Sequence, residues 1–113
     1  MRDSESHPNR LFNGWCSNEG NKHSHILHYS IRTIRDLPTY DGDSIPEEVR
    51  TFEDYFNLDE EAIGDPYYCV YATFKFDIPR GPIKIFETDE LRSAIFVVES
   101  LSGNKVKEYD LHN

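Results

Sequence analysis

The sequence predicts an α+β domain of the ferredoxin-like type, in which two helices cover one face of a four-stranded antiparallel sheet. Three observations support this fold class. Residues 67–78 alternate between two kinds of side chain, as a half-buried strand does. Apolar residues recur at helical spacing within 45–57 and again within 89–102. With a strand near each end of the domain, the predicted order is β-α-β-β-α-β.

The first strand and first helix follow from local patterns. Residues 25–34 are rich in β-branched, aromatic and aliphatic side chains, and Pro38 ends the pattern. Ser44 and Glu47 then have the spacing of a capping box, which indicates the start of a helix. The helix is expected to run from about 45 to 57, with one apolar stripe made of Ile45, Val49, Phe52 and Phe56.

The second half of the chain predicts two more strands and a helix. Residues 83–87 follow a "PRGP" turn and are expected to pair with 67–78. The stretch "AIFVVE" has strand propensity, but a helix over 89–102 is favoured over a strand. Thr88 suits an N-cap, Gly103 suits a C-terminal cap, and the apolar residues between them keep helical spacing. Residues 105–111 are predicted to form the last strand.

The domain organisation is one flexible N-terminal arm, residues 1–22, and one α+β domain, residues 23–113. The arm is polar and aperiodic except for "RLFNGWC". Its apolar residues Leu11, Phe12 and Trp15 are expected to fold back onto the domain. The alternative is that Trp15 anchors a partner, because tryptophan is enriched at binding hot spots.

Composition indicates a small cytoplasmic protein. The 113 residues include no run long and apolar enough to span a membrane, and the N-terminus does not have the pattern of a secretory signal. Two cysteines, Cys16 and Cys69, are too few for a disulfide framework, so free thiols in a reducing compartment are expected.

The net negative charge comes from one segment. Residues 41–65 contain ten acidic residues and one basic residue, so this segment accounts for the whole net charge of −9. A field of this kind repels nucleic acid and attracts basic surfaces. Direct nucleic-acid binding is therefore not expected.

These features predict a small acidic protein–protein interaction module rather than an enzyme. No phosphate-binding loop or nucleophile motif is present in the sequence, and no cofactor is predicted. The module would inhibit a basic, nucleic-acid-binding partner in the manner of an antitoxin, immunity or anti-defence protein. The predicted partner-binding residues are Asp41, Asp43, Glu47, Glu48, Glu53, Asp54, Tyr55, Asp59, Glu60, Glu61 and Trp15.

Three histidines raise an alternative function. In an extended strand His23 and His25 share one side while His28 points to the other, so at most two of them reach one metal ion. The alternative is a small-ligand or metal-binding domain that uses His23, His25 and the open face of the sheet. A homodimer through that open sheet face is a further expectation.

Overall fold

The computed structural model describes residues 11–39, 41–49, 63–76 and 81–108. Within these ranges the chain forms six strands and one helix. The strands are β1 (Gly14–Ser17), β2 (Ile26–Pro38), β3 (Ser44–Glu48), β4 (Ile63–Phe74), β5 (Ile83–Thr88) and β6 (Lys107–Glu108), and the helix is α1 (Leu91–Ser102). All six strands belong to one sheet, so the prediction of a ferredoxin-like sandwich with four strands and two helices is wrong.

The 13-residue strand β2 is the centre of the sheet. β4 pairs along one side of it, from Ile26 to Asp36. On the other side β1 pairs with residues 28–31 and β3 with residues 34–38, so β1 and β3 lie end to end. β5 lies outside β4 and β6 lies outside β1, and every pairing is antiparallel. Antiparallel neighbours can be joined by short turns, and β1–β2 and β2–β3 are joined in this way.

The helix covers one face of this sheet. Because side chains alternate along a strand, one set of residues from β2 and β4 faces α1 and the other set faces away. The core between sheet and helix also includes two residues from the N-terminal stretch. Its buried members are Phe12, Cys16, Tyr29, Ile31, Tyr68, Val70, Ala72, Leu91, Ala94 and Val98.

The prediction of a helix over 89–102 is confirmed, although its start differs. The N-cap is Glu90, which makes no side-chain capping bond, while the Thr88 hydroxyl accepts the Glu90 N–H at 3.1 Å. Gly103 ends the helix in the left-handed conformation at φ 76°, and its N–H donates to the Glu99 carbonyl at 2.9 Å. A residue with a side chain is strained at this φ, which explains why glycine is found there.

The prediction of a helix over 45–57 is wrong for residues 45–49, the part of this segment that the structure describes. Ser44–Glu48 forms strand β3, in which Ile45 lies opposite Leu37 and Glu47 opposite Arg35. Residues 50–57 lie outside the described ranges. The capping pattern at Ser44 and Glu47 favours a helix only locally. Strand β3 instead pairs with the last residues of β2 and satisfies backbone N–H and C=O groups that β1 does not reach, and this pairing prevails.

The expected flexible arm is also corrected in part. Gly14–Ser17 is strand β1 and pairs with both β2 and β6. Phe12 is buried in the core, which confirms that the apolar stretch folds back onto the domain. Residues 1–10 lie outside the described ranges.

A buried polar cluster joins β1, β2 and β3 where β1 and β3 meet. The Asn13 amide accepts the Thr33 N–H and donates to the Val49 carbonyl, both at 2.8 Å. The Val49 N–H donates to the Thr33 carbonyl at 3.0 Å, and the Thr33 hydroxyl accepts the Phe12 N–H at 2.8 Å. Asn13 therefore satisfies one backbone group of β2 and one of the residue that follows β3, and both groups would otherwise be buried without a partner.

Candidate functional site

One end of the sheet carries carboxylates from three separate parts of the chain. β2 ends, β4 begins and β5 ends there, because the three strands are antiparallel neighbours. An open cleft of about 740 Å³ lies at this end, lined by the acidic residues Asp36, Asp65, Glu87 and Asp89 together with Pro66, Tyr67 and Thr88. We call it the acidic cleft.

Tyr67 fixes one of these carboxylates. Its hydroxyl donates a hydrogen bond to Asp36 Oδ1 at 2.8 Å. Burial raises the pKa of Tyr67 well above its ordinary value, and the bond to Asp36 raises it further. The phenol therefore stays protonated at neutral pH and holds the Asp36 carboxylate in one orientation.

More acids lie on β3 and on the turn before it, next to this end of the sheet. Gly42 takes a φ of 85°, and the Thr39 N–H donates to the Asp43 carbonyl at 2.9 Å, which closes the turn between β2 and β3. Asp41, Asp43 and Glu47 are exposed there, and Glu47 lies opposite Arg35, on the other face of the sheet from Asp36. We call the acidic cleft and these three residues together the acidic end.

The structure separates the residues that the sequence grouped in 41–65. Asp41, Asp43 and Glu47 belong to the acidic end, and so does Asp65. Glu48 instead lies beside Arg32, whose Nη1 contacts both carboxylate oxygens at 2.9 Å. The other predicted acids and the nearby tyrosine lie outside the described residues, namely Glu53, Asp54, Tyr55, Asp59, Glu60 and Glu61.

Three carboxylates of the acidic cleft were not predicted. Asp36, Glu87 and Asp89 lie outside the segment 41–65 and look like isolated acids in the sequence. The register of β2, β4 and β5 brings them to Asp65. A signal was present, since each stands at or just beyond the end of a strand, but it has meaning only when the strand order is known.

Trp15, the other predicted partner-binding residue, lies away from the acidic end. It is half-buried in β1, opposite Ser30 of β2 and Lys107 of β6. Its ring contacts His28 edge-on, with the ring centroids 5.9 Å apart. Trp15 therefore has a packing role that is visible in the structure, and its role as a partner anchor stays a prediction.

The face of the sheet opposite α1 has cations beside carboxylates. Arg32 is paired with Glu48 and lies over the Tyr71 ring at 5.7 Å from its centroid. Lys84 Nζ lies 2.8 Å from Glu87 Oε1. A groove for a phosphate backbone needs a continuous positive surface, and these pairs reduce the positive charge of this face.

The histidines do not form a cluster. His23 and His25 precede β2 and are exposed, and His25 packs against Phe76 with 5.6 Å between ring centroids. Burial lowers the pKa of His28, and the charge of Arg32 lowers it further. Across the described ranges no three metal-ligating side chains come together. The metal-binding alternative based on His23 and His25 stays a prediction.

The two cysteines are free thiols, as expected, and both are buried. Cys16 faces the core, where its Sγ lies 3.0 Å from the Ser102 hydroxyl. Cys69 lies opposite Arg32 on the other face, and burial raises the pKa of its thiol. A raised pKa disfavours the thiolate, so neither the position nor the chemistry of Cys69 suits a nucleophile.

Comparison with known proteins gives no family and no relative. No family model, no curated protein and no solved structure matches the chain. In the residues that the structure describes, no helix is long and apolar enough to cross a membrane.

Proposed function

We propose that the protein is a non-enzymatic interaction module that docks its acidic end on a basic surface of a partner protein. The observation that carries this proposal is the acidic cleft, where Asp36, Asp65, Glu87 and Asp89 come together from β2, β4 and β5. The partner class that fits best is a nucleic-acid-binding protein, whose basic surface would be blocked as by an antitoxin, immunity or anti-defence inhibitor.

The cleft suits an arginine or lysine side chain of the partner. Glu87 already has Lys84 beside it at 2.8 Å, but Asp36, Asp65 and Asp89 also line the cleft, and a cation placed among carboxylates is attracted by each of them. Arginine presents planar donors that match carboxylates in pairs, so a guanidinium gains both charge and hydrogen bonds there. The Asp36 carboxylate is already oriented by Tyr67, which lowers the ordering cost of binding.

The exposed β3 strand extends the contact beyond the cleft. Ile45 is 49% exposed between the acids of the turn and Glu47, so it offers apolar area inside a charged surface. Interfaces commonly combine an apolar centre with a polar rim. Charge would speed the encounter, and the apolar contact would lengthen the lifetime of the complex.

The experiment uses a fluorescent arginine-rich peptide as the probe and measures its Kd by anisotropy at several salt concentrations. The variant carries Asp41→Asn, Asp43→Asn, Asp65→Asn and Asp89→Asn together. We expect weaker binding and a flatter dependence on salt, because fewer charges take part. The matched control compares Asp65→Asn with Glu19→Gln, an exposed acid in the β1–β2 turn that loses the same charge far from the cleft.

Two results would contradict the proposal. One is a Kd and salt dependence that the fourfold variant leaves unchanged. The other is an equal loss of affinity from Asp65→Asn and Glu19→Gln, since that would show a response to net charge rather than to the acidic end.

The location we propose is the cytoplasm. It is supported by Cys16 and Cys69, which are both free and lie on opposite faces of the sheet. Free thiols persist in a reducing compartment.

A further inference from the structure

β5 forms one edge of the sheet and is exposed along most of its length. In the described part of the chain it pairs with β4, and its outer side has no strand partner. Ile83 and Ile85 are 41% and 42% exposed on this edge. An open edge with apolar side chains is a template for a further strand, and proteins that stay monomeric usually protect such edges.

A β-bulge gives this edge an unusual charge arrangement. The register of β4 and β5 shifts between Val70 and Tyr71, so that Tyr71 lies opposite Lys84 and Cys69 opposite Glu87. Lys84 and Glu87 therefore share the face that points away from α1, although they are three residues apart. Both side chains are half exposed, and they contact each other at 2.8 Å.

We propose that two copies of the chain pair antiparallel through β5, with Lys84 of each copy opposite Glu87 of the other. In this register Ile83 lies opposite Thr88, and both face α1, as their partners Ala72 and Tyr68 do. Side-chain faces therefore match across the junction, and opposite charges meet on the other face.

Neighbouring registers fail one of these two conditions. A shift by one residue sets Lys84 opposite Thr88 or Glu87 opposite Ile83, which face different sides of the sheet. Registers centred on Lys84 or on Glu87 place like charges directly opposite each other, which is unfavourable. The charge pattern of β5 is thus self-complementary about a twofold axis between residues 85 and 86.

This contact differs from the dimer expected through the open sheet face, and of the four carboxylates of the acidic cleft it uses only Glu87. A second copy is favoured over an unrelated strand because the edge supplies both members of each ion pair. The interface is small, and each chain carries a net charge of −9, so the dimer is expected to be weak and concentration-dependent.

The test is sedimentation velocity of the full chain from about 1 to about 300 μM at about 0.15 M salt, a range chosen for a weak interface. The wild type should pass from monomer to dimer. Lys84→Glu and Glu87→Lys should each raise the dimer Kd about tenfold, because each places like charges opposite each other. Lys75→Glu, which makes the same change of charge one residue beyond the end of β4 and outside β5, should leave the Kd unchanged.

Charge exchange makes the test specific for the register. The double variant Lys84→Glu/Glu87→Lys restores opposite charges and should regain the wild-type Kd. Mixing the two single variants should yield a heterodimer, measured by native mass spectrometry, because every contact is then between unlike charges. Circular dichroism verifies that each variant is folded.

A wild type that stays monomeric over the whole concentration range would overturn the proposal. So would a dimer with a Kd that neither single variant changes, or one that the double variant fails to restore. The variants of the peptide-binding experiment change neither Lys84 nor Glu87, so the two proposals fail independently.

Discussion

The Asn13 side chain should be among the most costly polar groups to remove from this fold. Asn13→Ala deletes the acceptor of the Thr33 N–H and the donor to the Val49 carbonyl, two hydrogen bonds of 2.8 Å in a buried environment. Each backbone group left buried without a partner costs about 1–3 kcal/mol. We therefore expect a loss of about 2–6 kcal/mol in the free energy of unfolding, a large share of the roughly 5–15 kcal/mol of a typical domain.

Asn13→Asp separates the two bonds. A carboxylate still accepts the Thr33 N–H but meets the Val49 carbonyl with no proton to donate. Burial raises the pKa of such a carboxyl in the folded state, so the folded protein favours the protonated form. The stability that the protonated carboxyl contributes is fully present below its pKa in the unfolded chain and is lost as pH rises through its pKa in the folded state. Asn13→Asp should therefore be more destabilising at neutral pH than at about pH 4.

Urea unfolding followed by tryptophan fluorescence gives these free energies, because Trp15 is the one tryptophan of the chain and lies in β1, two residues after Asn13. The control is Asn21→Ala, which removes two hydrogen bonds of 2.7 and 3.0 Å that are only partly buried. A loss under about 1 kcal/mol for Asn13→Ala, or one no larger than that for Asn21→Ala, would contradict this prediction, because water would then be satisfying the Thr33 N–H and the Val49 carbonyl.

Two further predictions concern packing and titration. Gly14→Ala should lower Tm by several degrees, because its Cβ would lie 2.7 Å from the Lys107 carbonyl oxygen, whereas Gly20→Ala has open space and should have little effect. Melting curves of the two variants against the wild type check this, and equal Tm values would contradict it. Burial lowers the pKa of His28 in the folded state, and the charge of Arg32 lowers it further. The neutral imidazole therefore contributes stability at pH values above its ordinary pKa of 6.5, and this stability is lost as pH falls. His28→Gln should therefore reduce the drop in Tm between about pH 7.5 and about pH 5, and an unchanged drop would contradict the assignment.

Local patterns were enough to predict the elements that pack against each other through a regular face. β5 and α1 were found within a few residues of their ends, and the alternation of β4 placed Tyr68, Val70 and Ala72 on one face. In these elements the apolar residues recur at the spacing of a strand or a helix, because one face of each packs in the core. Their positions could therefore be read without knowledge of their neighbours.

β1 and β3 could not be predicted in this way. Ser44–Glu48 has a capping pattern and a proline, and Gly14–Ser17 is too short for an alternation to be detected. Both are strands because β2 is long enough to pair with two strands along the same edge, β1 at residues 28–31 and β3 at residues 34–38. Strand pairing depends on non-local contacts, and a sequence pattern within a short window does not contain them.

The same reason explains the partial success at the acidic end. The density of acids between 41 and 65 indicated a charged surface, and Asp65 does line the cleft. Asp36 and Glu87 join it only through the registers of β2 with β4 and of β4 with β5. Charge can be counted along a chain, but its concentration at one place requires the order of the strands.

The end-to-end arrangement of β1 and β3 along β2 also has a consequence for hydrogen exchange. Amide protons of β2 are covered on one side by β4 and on the other by two separate strands, so the two halves of β2 can open independently. β3 pairs with β2, and its residues from Ser44 to Glu47 are exposed, so its amides should exchange through a local opening that leaves the core closed. Asn13 bonds Thr33 and Val49, so it holds the residue that follows β3 in place and confines this opening to β3 itself. The part of the sheet that carries the acidic turn can thus fray and re-form without a cost in global unfolding.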